Sequence, residues 1–212
     1  MRIQEVGSRS VLFTFEMDWN LNIHLIKGDR YNYLIDTGLG AQSVAPVIEA
    51  IAGSGKPIVA INTHYHWDHI WGNAALGDAP ICAHRLCREA IALHWDSMIE
   101  RNSRYAEGKV LLRLPDITFD ETLTFEADGI RLFHTPGHTT DSISVLDERD
   151  GVLSAGDNIG DTPEEMVPSL ACERETYLRT LRHYQELDFR FAVSGHNEVQ
   201  GRDFPHRILE LL

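Results

Sequence analysis

The segment KPIVAINTH, residues 56–64, is a short continuous apolar run that passes straight into a cluster of histidines. An unbroken run of this kind predicts a strand covered on both faces, where an alternating run predicts one wet face. A chain with such a strand needs layers on either side of it. The rest of the sequence offers them. VLFTFE alternates apolar and polar residues, and NIHLIKG and YNYLIDTG read as a hairpin turning at Gly28-Asp29. AQSVAPVIEAIAGSG is a helix with Val44, Val47, Ile48 and Ile51 on one side, closed by Gly53. PICAH is a short strand, and from Arg85 to about Gly108 the pattern is helical, with Leu86, Ala90, Leu93 and Met98 as its apolar positions.

The second half repeats the scheme. ITFDETLTFEA, GIRLFHTPGH, SISVLDERD and GVLSAGD are strand-like, with a hairpin turn at Asp150-Gly151. ERETYLRTLRHYQELD is a helix with Tyr177, Leu178, Leu181, Tyr184 and Leu187 on one side; FRFAVSGH is a last strand and FPHRILELL a last helix. Two strand-rich halves that each end in helices predict an α/β (α+β) chain, a four-layer αββα sandwich, as one domain over 1–212. A helical insertion at about 85–114 stands outside that scheme.

Composition narrows the function. The net charge is −13, and no basic run is present, so a nucleic-acid partner is not expected. No segment approaches the roughly 18 apolar residues of a membrane span, and the N-terminus has no signal-like apolar stretch, so the expectation is a cytoplasmic protein with no membrane partner. Cys82, Cys87 and Cys172 are odd in number and irregular in spacing, which predicts reduced thiols in place of a disulfide framework.

The chemistry lies where strands end. THYHWDH carries His64, His66, Asp68 and His69; TPGHTT carries His138; SAGDN carries Asp157; SGHN carries His196. In an extended loop residues i and i+2 point the same way, so His64 and His66 can grip one ion together. Asp68 and His69 point differently and suit a second ion a few ångströms away, a paired arrangement with catalytic precedent. This predicts His64, His66 and His138 on one divalent metal, Asp68, His69 and His196 on another, and Asp157 between them. Imidazole suits zinc and also iron, and carboxylates suit manganese, so zinc is expected with iron or manganese as alternatives. His24, His84, His94, His183 and His206 read as packing or surface residues, and His134 as a neighbour of the site.

Taken together these motifs resemble the metallo-β-lactamase-fold hydrolase superfamily: YLIDTG, THYHWDH, TPGHTTDSI, LSAGD and SGH match its signatures in order. The resemblance implies the seven metal ligands above, with Asp36 as a buried carboxylate that steadies the histidine loop. An aspartate at 157, and no cysteine in that motif, departs from the thiolate-bearing β-lactamases. The pattern is similar to glyoxalase II thioesterases and acyl-homoserine lactonases. Glyoxalase II carries a helical C-terminal domain, whereas this chain ends within a short helix of His196. The substrate pocket is therefore expected from the helical insertion, with Trp67, Trp71 and Trp95 as apolar walls. The expected activity is hydrolysis of an ester, lactone or thioester of a small molecule by a hydroxide bridging two metals, with Asp68 as the catalytic carboxylate. The alternatives are a persulfide dioxygenase-like oxidoreductase using one iron on His64, His138 and Asp157, and a non-catalytic metal-binding domain.

Overall fold

A computed structural model describes residues 1–212. β1 (Arg2–Val6), β2 (Ser10–Glu16), β3 (Asn20–Lys27) and β4 (Asn32–Ile35) form an antiparallel meander. β5 (Ile58–Ile61), β6 (Ile81–His84) and β7 (Ile117–Phe119) extend it in parallel to a seven-stranded sheet. β8 (Thr122–Phe125), β9 (Ile130–His134), β10 (Ile143–Asp147), β11 (Val152–Ser154), β12 (Phe191–Val193) and β13 (Gln200–Gly201) form a six-stranded sheet in which only the β11–β12 pair is parallel. The helices are α1 (Ala41–Ile51), α2 (Trp67–Ile70), α3 (Arg85–Asn102), α4 (Arg174–Glu186) and α5 (Phe204–Leu211).

The apolar run at 56–64 explains why the layers stack. Ala60 of β5 packs outward with Ile23, Val44 and Val47, under α1. Val59 and Ile61 pack the other way, with Leu132, Ile143 and Val145 of the second sheet. On the far side, Tyr177 and Leu181 of α4 and Phe204 of α5 cover Leu153 and Ala192. The expected αββα order is therefore the observed one, with the central strand buried on both faces.

Three local expectations are corrected. ITFDETLTFEA is two strands in different sheets, β7 in the first and β8 in the second. Asp120 and Glu121 turn the chain from one sheet to the other, and the Asp120 carbonyl accepts a hydrogen bond from His84 Nε2. β1 was not expected, because all its residues but Val6 are exposed and an edge strand without an inward apolar row leaves no periodic signal. In the helical insertion, α3 stops at Asn102 and a 3-10 turn follows at Ser103–Tyr105. Its buried face is Cys87, Ile91 and Met98, while Leu93 is exposed. His84 and His134 are structural: their rings stack at 4.0 Å across the two sheets.

Buried carboxylates tie the sheets together. Asp128, in the turn between β8 and β9, accepts backbone N–H bonds from Asp29, Arg30 and Tyr31 and the Tyr33 hydroxyl at 2.7 Å. Burial pushes its carboxyl upward, but these donors favour the anion and hold it below the usual carboxylate range. A carboxylate depressed in the folded state contributes stability above its unfolded pKa, about 3.9, and loses it as pH falls through the folded value. Asp128→Ala is expected to lower stability by about 1–3 kcal/mol at pH 7, since it strands buried donors. Urea unfolding at pH 7 and again below pH 4 checks this. The gap between variant and parent should narrow in acid, and coincident curves at pH 7 would contradict the role.

Candidate metal centre

The direction of the strands sets the site. β9, β11 and β12 run the same way in the second sheet, so the loops after them open at one edge. The loop after β5 meets them there. His66, the residue before α2, lies on extended backbone, and His64 lies in the bend that leads to it. One helical turn then swings Asp68 and His69 to a different direction. This is the local reason that the two spacings in THYHWDH serve two places.

Seven side chains converge as two groups: His64, His66, His138 and Asp157, and Asp68, His69 and His196. His66 Nδ1 stands 3.0 Å from His64 Nε2 and 3.0 Å from His138 Nε2. Asp157 Oδ2 lies 3.6 and 3.7 Å from His64 and His138 Nε2, and 3.2 Å from both His69 and His196 Nε2. Asp68 Oδ2 is 3.4 Å from His196 Nε2 and 3.8 Å from His69 Nε2. The seven side chains that the motifs offer as ligands are all within this cluster.

The outer nitrogens fix which way each ring presents its lone pair. Nδ1–H of His138 donates to the Ser169 carbonyl at 2.9 Å, and that of His196 to the Asn20 carbonyl at 2.8 Å. His69 Nδ1–H donates to Asp36 Oδ2 at 2.8 Å. Thr63 donates its hydroxyl to Asp36 Oδ2 at 2.7 Å and its backbone N–H to Oδ1 at 2.8 Å. With that hydroxyl proton committed, Thr63 Oγ1 accepts from His64 Nδ1–H at 3.1 Å. One carboxylate, Asp36, thus bonds His69 directly and reaches His64 through Thr63. Asp36 is also the one non-glycine residue with positive φ, at 60°, a conformation that asparagine tolerates. Asp36→Asn therefore keeps the backbone and removes the charge. Its expected effect is a 10–100-fold loss of metal affinity, read by competition with a coloured chelator; unchanged affinity would contradict the role.

The inner face needs a cation. Nε2 lone pairs of His64 and His138 both point at His66 Nδ1, which has at most one proton to share. The His69 Nε2 and Asp157 Oδ1 atoms are buried without any hydrogen-bond partner, a costly arrangement unless an ion completes it. Burial and neighbouring imidazoles push His64 well down and His66 to about 3, leaving both neutral. Burial also opposes charge on His69 and His196, but Asp157, Asp36 and Asp68 outweigh it, raising His69 well above its ordinary value and His196 to about 9. Asp157, although desolvated, is held far below the carboxylate range by His69, His196 and His64. The donor set fits divalent metal. Gly195 permits the close approach, since a Cβ there would overlap Asp157 Oδ1 and the His69 ring.

The cluster floors a cleft of about 380 Å³ whose walls include Trp67, Asp161, Glu165, Val167 and Pro168. Of the three tryptophans expected as walls, only Trp67 lines it. Trp71 is fully buried among Ile70, Ala83 and Cys87, and Trp95 packs on the outside of the same cluster. The loop 160–169 and Trp19, whose ring meets His196 edge-on at 5.2 Å, are additions that sequence reasoning missed. Neither carries a ligand motif or a periodic pattern.

Fold and site define a metal-dependent hydrolase. Residues 18–196 match the model of the metallo-beta-lactamase superfamily, and the chain belongs to that family. Among its relatives is a hydroxyacylglutathione hydrolase of Synechococcus sp. (strain JA-2-3B'a(2-13)), 31% identical over 198 residues, 82% of this chain and 73% of that one. An atrochrysone carboxyl ACP thioesterase of Aspergillus fumigatus is 27% identical over 193 residues, 90% of this chain and 40% of that one. Among solved structures, a metallo beta lactamase from Erythrobacter litoralis superposes with a TM-score of 0.77 at 25% identity, covering 99% of this chain and 94% of that one.

Proposed function

We propose that this hydrolase cleaves a thioester, or a related ester or lactone, of a small molecule at a pair of divalent ions, zinc first among them. The observation that carries the reading is Asp157: one oxygen faces imidazole nitrogens of both donor groups at 3.2–3.7 Å, as a shared ligand would. His64, His66 and His138 would hold one ion, and Asp68, His69 and His196 the other. Ions bound there would supply a hydroxide nucleophile near neutral pH and would polarise the substrate carbonyl. Asp68 borders the cleft, where it orients the nucleophile, accepts its proton and returns it to the leaving thiolate. Trp67, Val167 and Pro168 offer the acyl group an apolar wall. Cys82 and Cys87 are wholly buried and Cys172 is not among the cleft residues, so no thiol is placed as a nucleophile, and attack by hydroxide needs no acyl-enzyme. The names of the relatives, a hydroxyacylglutathione hydrolase and an ACP thioesterase, support thioesters as the leading class.

A mononuclear iron dioxygenase would use His64, His138 and Asp157 and leave the convergence of Asp68, His69 and His196 without a role. A substrate panel of thioesters, esters, lactones and a persulfide, run with oxygen uptake recorded, separates the two. Thioester hydrolysis without oxygen consumption is expected, and persulfide-dependent oxygen consumption would overturn the reading.

A further inference from the structure

A second groove, of about 270 Å³, opens on the other side of His66 and Trp67, which line both spaces. Its outer wall is one face of α3. His94, Ser97, Met98 and Arg101 follow one another at helical spacing, and Asn102 and Tyr65 close the ends. Tyr65 fixes the near wall, with its ring 4.6 Å from His66 and 5.5 Å from His94. The groove is mostly polar, in contrast to the tryptophan-walled pocket expected from the insertion.

Arg101 gives this groove its character. α3 carries three arginines. Arg85 is paired with Glu89 and Asp120, and Arg88 donates to the Pro115 carbonyl. Arg101 has no hydrogen-bonded or ion-paired partner in the protein. Arg2, Arg30 and Arg101 are exposed and have no side-chain partner, and of these Arg101 is the one that lines a groove. The cleft on the opposite side of the cluster has the reverse polarity: its rim carries Asp161 and Glu165 and no Lys or Arg. Of the two spaces, the α3 groove is the one whose lining offers an anion a cationic partner.

We infer that the α3 groove is an anion subsite, in which Arg101, assisted by Asn102 and Ser97, binds a carboxylate or phosphate on one end of the thioester and sets which substrates are accepted. The inference rests on the proposed hydrolase reading, and it assigns that site a substrate class: thioesters with a terminal anion. A planar guanidinium suits both groups because each presents two oxygens to its paired N–H donors.

The test compares four thioesters in wild type, Arg101→Gln and Arg101→Lys. S-acetyl-N-acetylcysteamine is the neutral reference. S-acetyl-3-mercaptopropionate has a carboxylate on the thiol half, S-succinyl-N-acetylcysteamine has one on the acyl half, and S-acetylpantetheine 4′-phosphate carries a phosphate. For at least one anionic thioester, kcat/KM relative to the neutral one should fall about tenfold in Arg101→Gln, the scale of a lost charge-assisted contact, and recover at least in part in Arg101→Lys. Metal content per chain should be the same in all three proteins. Which arm responds identifies the half and the anion. Calorimetric binding of the non-hydrolysable amides 3-acetamidopropionate and succinamate gives a second readout that needs no turnover. If wild type cleaves none of the four, the thioester reading fails and the amides alone decide the subsite. Ratios that do not change with Arg101→Gln, or, where there is no turnover, amides bound no more tightly by wild type than by Arg101→Gln, overturn it.

Discussion

Replacing Asp68 by asparagine is expected to lower kcat for thioester hydrolysis by about 10²–10⁴-fold, the usual scale of a lost general base. The substitution keeps size and removes charge and basicity. Asp68 is held in the first turn of α2, is 8% exposed, and has Oδ2 3.4 Å from His196 Nε2. It therefore borders both the second donor group and the cleft, the position from which a carboxylate can exchange a proton with a nucleophile and a leaving group. Elemental analysis of the same preparation separates loss of the base from loss of an ion. A variant with full kcat would remove Asp68 from the reaction.

The second large effect is expected at His66. Its Nδ1 is the meeting point of the first donor group, 3.0 Å from both His64 and His138 Nε2, and its ring forms part of the wall between cleft and groove. On the proposed reading truncation to alanine removes a ligand outright, whereas an outer-shell loss such as Asp36→Asn costs about 10–100-fold in affinity. His66→Ala should exceed that range and carry hydrolysis down with it. The fold should persist, because His66 is only half-buried and lies outside the apolar clusters; circular dichroism and the unfolding midpoint check that point. Metal binding within tenfold of the parent would show that the first group is not a ligand set.

The donor groups were legible because each member follows a strand that the apolar pattern marks. β5 reads as doubly buried and delivers His64 to His69, while β11 and β12 deliver Asp157 and His196. Asp36 came only with the family resemblance, and the structure supplies its physical reason in the bonds to His69 and Thr63. What sequence could not give was lateral placement. Trp71 and Trp67 are four residues apart, yet the helical turn between them sends Trp71 into the core and leaves Trp67 at the cleft. The change of sheet at Asp120 and Glu121 is invisible to a period-2 pattern, because both strands alternate alike. Arg101 is an ordinary basic residue near a helix end in sequence, and only the groove beside His66 makes its missing partner meaningful.

We propose that the seven converging side chains hold the metal on which hydrolysis depends. The most direct measurement is metal content per chain, paired with thioester turnover before chelation, after it, and after metal is restored. The expected result is two divalent ions per chain, turnover lost with them and regained on their return. Undiminished turnover in metal-free protein would contradict the account.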